Sequence, residues 1–292
     1  MSIKGKLIIV GGGIDVGNSI ASETEIKQIN SNYFYNCGIL KNIIDESKNK
    51  EESRIEIITT ASKMPEEVSQ TYIHAFKLLG ATNVGHLPIN SRLEANDPDN
   101  LQRLTQANTV LFTGGDQLRL TSVIGGTPFQ QMLLDKYHHE EFLYAGTSAG
   151  AAAVSSSMIY QGNSSDALLK GLVEINSGLS LIDSIIVDTH FIQRGRIGRL
   201  FQVVVGNPMK IGIGLGEDTG LIITDNNDTM IAIGSGSIIL VDGRQITDTN
   251  LTQIDIGKPI SISHLITHVM TQNDIFFFKE NKIIIKDSQY NN

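Results

Sequence analysis

Short β-branched runs at residues 6–10, 55–59, 84–87, 110–112 and 142–145 alternate with helix-length stretches, and this alternation limits the possible folds more than any other feature. Parallel strands are joined by crossovers, and each crossover lays a helix on the sheet, so the pattern predicts a parallel sheet covered on both faces. Residues 65–79 give the clearest helix, with Glu66 and Glu67 in the first turn, where they oppose the helix dipole, and Gly80 as its C-terminal cap. From about residue 211 the texture changes to strand and turn, with runs at 220–224, 230–233 and 237–241 around Asp225-Asn226-Asn227-Asp228. Antiparallel hairpins are predicted there. No linker-like composition divides the chain, so residues 1–292 read as a single domain with a β-rich C-terminal part. Residues 46–53 read as a solvated helix end or loop, and the Lys- and Asn-rich tail from Glu280 is expected to fray.

A net charge of -8 argues against nucleic acid as a partner, because phosphate-backbone affinity rests on clustered Lys and Arg. No apolar run approaches the ~20 residues that cross a bilayer, and the N-terminus has no signal-peptide pattern, so a soluble protein is expected. Cys37, in a predicted helix, is the single cysteine; it fits a reducing cytoplasm and rules out an internal disulfide framework. The histidines are not grouped with carboxylates at ligand spacing, so no metal is expected. The stretch Gly11-Gly12-Gly13-Ile14-Asp15-Val16-Gly17 has Val16 where a dinucleotide fingerprint needs glycine, which favours a loop at the substrate edge and no cofactor.

The strongest chemical signal is Gly146-Thr147-Ser148-Ala149-Gly150, between an apolar strand and the Ala-rich run 151–154. This matches a nucleophile elbow, in which a strand turns sharply into a helix and presents the central side chain at the sheet edge. A close-packed small-residue helix would read the same way, and the pentapeptide alone does not separate the two. Thr113-Gly114-Gly115-Asp116-Gln117 ends the preceding strand on the same edge, so the N–H groups of Gly115 and Ala149 are candidates for an oxyanion hole and Gln117 for substrate contact.

A serine nucleophile needs a base. Among seven histidines, His190 emerges at the end of the apolar run 185–187, whereas His74, His138 and His139 belong to helical segments. Arg194, Arg196 and Arg199 follow within nine residues, a density that suits recognition of carboxylates, although such runs are more often surface helix faces. Asp188 shares a strand face with His190 by the two-residue period and is expected in the same pocket. Glu217, in the glycine-rich turn after residue 212, is the chosen carboxylate partner of the base, with Asp218 and Asp188 as competitors.

These motifs, in this order, resemble the cyanophycinases of the serine peptidase family that also holds the aspartyl dipeptidases. The resemblance rests on Gly11-Gly12-Gly13, the 113–117 turn, the 146–150 elbow, the 188–199 segment and Gly216-Glu217, spanning about two thirds of the chain. It implies a three-layer α/β/α fold with a mostly parallel central sheet, like that of class I glutamine amidotransferases, and a triad of Ser148, His190 and Glu217. It also implies a pocket lined by Gln117, Asp188, Thr189, Arg194, Arg196 and Arg199, and a homodimer.

The implied substrate is cyanophycin, a poly-aspartate bearing arginine on each β-carboxyl, cleaved to β-Asp-Arg dipeptides. The arginines would suit its free carboxylates and Asp188 a substrate guanidinium. Thr189 departs from the family's usual glutamine and would remove one hydrogen bond to substrate. An exopeptidase for aspartyl dipeptides and a non-catalytic anion binder are the alternatives. A glutamine amidotransferase would need cysteine at the elbow, where this chain has Ser148.

Overall fold

The computed structural model describes residues 2–17 and 33–286. Its central sheet has nine strands, in two halves that meet at β1 (Lys6–Val10). On one side of β1 run β5 (Leu143–Thr147), β4 (Thr109–Phe112), β2 (Arg54–Ile58) and β3 (Asn83–His86), all parallel. On the other side β10 (Thr219–Thr224), β11 (Thr229–Gly234), β16 (Ile275–Phe277) and β17 (Lys282–Ile284) form an antiparallel meander. Each predicted N-terminal strand is present to within two residues at its ends, as is the helix, which spans Pro65–Leu78 with Pro65 in its first turn and Gly80 at φ 88° just beyond.

Alternation along β1 splits the core. Ile8 and Val10 pack with the helices Ile39–Glu46 and Pro65–Leu78 on one face. Leu7 and Ile9 face the helices Pro98–Gln106, Gln117–Ile124 and Pro128–His139 on the other. Burying each such aliphatic side chain contributes about 1.5–3 kcal/mol, which is why the central strands carry no polar alternation.

A second sheet of four strands shares that second face. It runs β15 (Ile266–Met270), β12 (Ile238–Asp242), β9 (Ile211–Leu215) and β8 (Ile185–Asp188), with β8 and β9 parallel and the rest antiparallel. In β9, Ile211, Ile213 and Leu215 face the shared core, while Gly212 and Gly214 face outward. A methyl on Gly212 would sit 2.6 Å from Val204, and one on Gly214 2.5 Å from Phe191, so both glycines let the Ile197–Gly206 helix and its preceding turn close on the sheet.

Three local expectations change. The run at 237–241 forms β12 but pairs with β9 and β15 instead of hairpinning with β11. Cys37 lies in a turn before the Ile39–Glu46 helix. Residues 282–284 form the edge strand β17, so the expected fraying from Glu280 does not hold there; residues 287–292 lie outside the described residues.

Candidate active site

The elbow is forced by contact. A Cβ on Gly146 would lie 2.5 Å from the backbone of Gly150, and one on Gly150 would lie 2.3 Å from the carbonyl of Phe112. The Ala149–Ala152 helix can therefore lie against β4 and β5 only with glycine at both positions. Tyr144 braces the bend by donating to the Gly150 carbonyl at 2.7 Å, and burial pushes its pKa up, which keeps it a donor. Ser148 takes φ 52° and ψ -108°, a left-handed backbone that ordinary residues adopt only under local constraint.

Three successive carbonyls at the end of β1 register the site. Val10 accepts from the Ser148 N–H at 2.9 Å, Gly11 from the His190 N–H at 2.8 Å, and Gly12 from the Asp218 N–H at 2.8 Å. The side chains that result form a line: Ser148 Oγ is 2.9 Å from His190 Nε2, and His190 Nδ1 is 2.7 Å from Glu217 Oε1. With Nδ1–H donating to Glu217, Nε2 is left to accept the serine proton. The Gly11–Gly13 motif thus borders the cleft, as expected, and also fits against the relay. A Cβ on Gly12 would lie 2.3 Å from the imidazole Cε1, and one on Gly13 3.0 Å from Glu217 Cβ.

The cleft in front of Ser148 has a volume of about 340 Å³. Gly115, Gln117, Thr189, Arg194 and Arg196 line it as expected. The N–H groups of Gly115 and Ala149 have no acceptor among the described residues. Gln117 directs its amide N–H groups at the carbonyls of Ile159 and Tyr160, and its oxygen has no hydrogen-bond donor among the described residues. Arg194 is exposed, and its guanidinium makes no hydrogen bond among the described residues. A larger hollow of about 450 Å³ at the far end of the Gln117–Ile124 helix has Arg92 as its one charged lining residue among the described residues, and no nucleophile–base pair.

Asp188 and Arg199 depart from the expectation. Neither lines the cleft; they are 2% and 4% exposed and hold one another. Arg199 meets Asp188 with a two-pronged contact, Nε to Oδ2 at 3.0 Å and Nη2 to Oδ1 at 2.9 Å, and also donates to the Gly162 carbonyl. Burial pushes the Asp188 carboxyl up in pKa against the pull of Arg199 and Arg196. The two-residue period misled because the chain turns at Thr189: His190 enters the left-handed region at φ 50°, so it swings to the cleft while Asp188 stays under the sheet. Arg196 bridges the two environments, donating to Asp188 at 3.3 Å and to the Thr189 carbonyl at 2.8 Å.

Sequence reasoning missed Tyr72 and Gln193. Tyr72 lines the cleft from the Pro65–Leu78 helix, and burial raises its pKa to about 12; an amphipathic helix offers no signal for such a role. Gln193 accepts the Glu217 N–H at 3.2 Å, linking the turn after His190 to the acid. Among the described residues no group of three or more His, Cys, Asp or Glu is placed to hold a metal ion, and no helix is long and apolar enough to cross a membrane.

Residues 28–231 match the sequence profile of peptidase family S51. The cyanophycinase of Trichormus variabilis is 34% identical over 230 residues, covering 79% of this chain and 77% of that protein. That of Synechococcus elongatus is 31% identical over 229 residues, covering 78% and 71%, and that of Geminocystis herdmanii 31% over 220 residues, covering 75% and 80%. Among solved structures, a peptidase from an acI-B1 Actinobacterium superposes with a TM-score of 0.66 at 19% identity, covering 95% of this chain and 98% of that one, a likeness of fold. With more than half its length matched by that profile and relatives above 30% identity along most of its length, the chain belongs to peptidase family S51.

Proposed function

We propose that the protein is a serine-type exopeptidase that hydrolyses cyanophycin to β-Asp-Arg dipeptides through Ser148, His190 and Glu217. The observation that carries this reading is the unbroken relay from Ser148 Oγ through His190 to Glu217 Oε1, at 2.9 and 2.7 Å. His190 Nε2 takes the serine proton as Oγ attacks the scissile carbonyl, and Glu217 stabilises the imidazolium. The oxyanion lies between the N–H groups of Gly115 and Ala149. The imidazolium then protonates the leaving amine, and an activated water hydrolyses the acyl-enzyme by the same steps in reverse order. Arg194 and Arg196 bind substrate carboxylates, and Gln117 and Thr189 contribute the remaining polar contacts to the peptide.

The cleft favours a second reading in one respect. Its lining has two arginines and no carboxylate among the described residues, which suits an aspartyl dipeptide as well as an arginine-bearing polymer. The experiment is dipeptide release from purified cyanophycin beside α- and β-linked aspartyl dipeptides, with Ser148→Ala as control. Release of β-Asp-Arg by the wild type alone is the expected result. Cleavage of the dipeptides alone selects the second reading, and equal turnover by Ser148→Ala removes both. A cytoplasmic homodimer is the working form carried by the family likeness; sedimentation at the monomer mass would discard the dimer.

A further inference from the structure

Asp218 follows Glu217 in the β9–β10 turn, with φ 45°. Its carboxylate joins two other segments: Oδ1 accepts the Asp15 N–H at 3.2 Å, and Oδ2 accepts the Ser235 hydroxyl at 2.8 Å. Its backbone repeats the connection, donating to the Gly12 carbonyl at 2.8 Å and accepting the Ser235 N–H at 2.9 Å. One residue therefore ties the 11–17 loop, the Glu217 turn and the β11–β12 connection together. The loop so held abuts both the imidazole and Glu217, leaving no room for a methyl at Gly12. Asp218 is absent from the cleft lining, and burial is the main influence on its carboxyl, pushing the pKa up.

We propose that Asp218 is a positioning residue for the His190–Glu217 pair, its carboxylate pinning the glycine-rich loop to the Ser235 turn so that the imidazole keeps its register. This rests on the reading that Ser148, His190 and Glu217 form the reacting relay. Alanine at 218 removes both side-chain anchors, whereas asparagine would keep them, its oxygen accepting the Asp15 N–H and its NH2 donating to Ser235 Oγ. Ser235→Ala loses one anchor while every charge stays in place.

The test reads the downfield proton resonance of the Nδ1–H···Oε1 bond, assigned by its loss in His190→Gln, alongside kcat and KM. In Asp218→Ala the resonance is expected to move upfield or broaden away, with kcat down about tenfold and KM within about twofold. Ser235→Ala is expected to move resonance and kcat in the same direction by less, which a purely electrostatic effect of Asp218 would not do. Wild-type resonance and kcat in both variants would overturn the proposal. If Asp218→Ala fails to fold, an unmoved resonance in Ser235→Ala is sufficient to overturn it. Turnover retained by Ser148→Ala would instead sink the relay reading, and the resonance, which needs no turnover, separates the two failures.

Discussion

Ser148 and the hydrogen-bonded pair His190–Glu217 are positioned by different means and from two different sheets. Ser148 immediately follows β5 of the central sheet, and its conformation is dictated within a few residues by Gly146, Gly150 and the strand they contact. His190 and Glu217 follow β8 and β9 of the second sheet, and their positions depend on partners far away in sequence: Gly11 and Gly12, Gln193, and the Asp188–Arg199 pair beneath. A local device can be recognised in a pentapeptide. A pair held by long-range contacts can be recognised only by the company it keeps.

The largest effect expected from breaking this contrast lies beneath the second sheet. Arg199→Leu removes the two-pronged partner of the buried Asp188 carboxylate and leaves it only the 3.3 Å contact from Arg196 and the Thr189 N–H; denaturant unfolding should register a loss of about 3–5 kcal/mol. The double variant Asp188→Leu/Arg199→Leu should recover much of it, because the cost lies in the unpaired charge. An equal loss in both would mean that the pair acts through packing alone.

Gly12→Ala addresses the seam between the sheets. A methyl 2.3 Å from the imidazole displaces His190 while the elbow stays intact. Steady-state kinetics should give a kcat reduced about 100-fold with the fold preserved. Arg194→Ala is expected to raise KM roughly tenfold, since a charge-assisted hydrogen bond to substrate is lost. Its thermal midpoint should not move, because the guanidinium is exposed and makes no hydrogen bond or ion pair among the described residues.

The smallest effect lies on the parallel half, where His86 packs at the end of β3 with Nε2 2.8 Å from Thr59 Oγ1. Burial lowers its pKa below the ordinary value of 6.5, so the unfolded chain binds this proton more readily than the folded one. The stability from keeping the ring neutral is therefore fully present above about pH 6.5 and is lost as pH falls toward the folded pKa. Melting curves between pH 7.5 and 5, values chosen to bracket about 6.5, should fall less steeply in His86→Gln than in the wild type.

The parallel half was legible because most of its strands are short, largely apolar runs bounded by helix signals, and local patterning reports that directly; the edge strand β3 is the polar exception. The second sheet was legible as strands but not as a sheet. The continuous apolar run of β12 shows that the strand is buried, but not whether β9 or β11 is its partner. Motif and order singled out Ser148, His190 and Glu217, whose side chains meet in the structure, whereas the mutual pairing of Asp188 and Arg199 was not legible, because their contact spans eleven residues and a backbone reversal at His190. The glycines at 11–13 were visible as a loop, but their fit against an imidazole appears only when the segments following β1 and β8, strands of different sheets, are brought together.

Activation of Ser148 by His190 is tested most directly by covalent capture with a serine-reactive phosphonate, read by peptide mass spectrometry on wild type, Ser148→Ala and His190→Ala. Rapid stoichiometric labelling of the peptide containing Ser148, lost in both variants, is the expected result. A wild type that stays unlabelled, or a His190→Ala variant that labels at the wild-type rate, would contradict it.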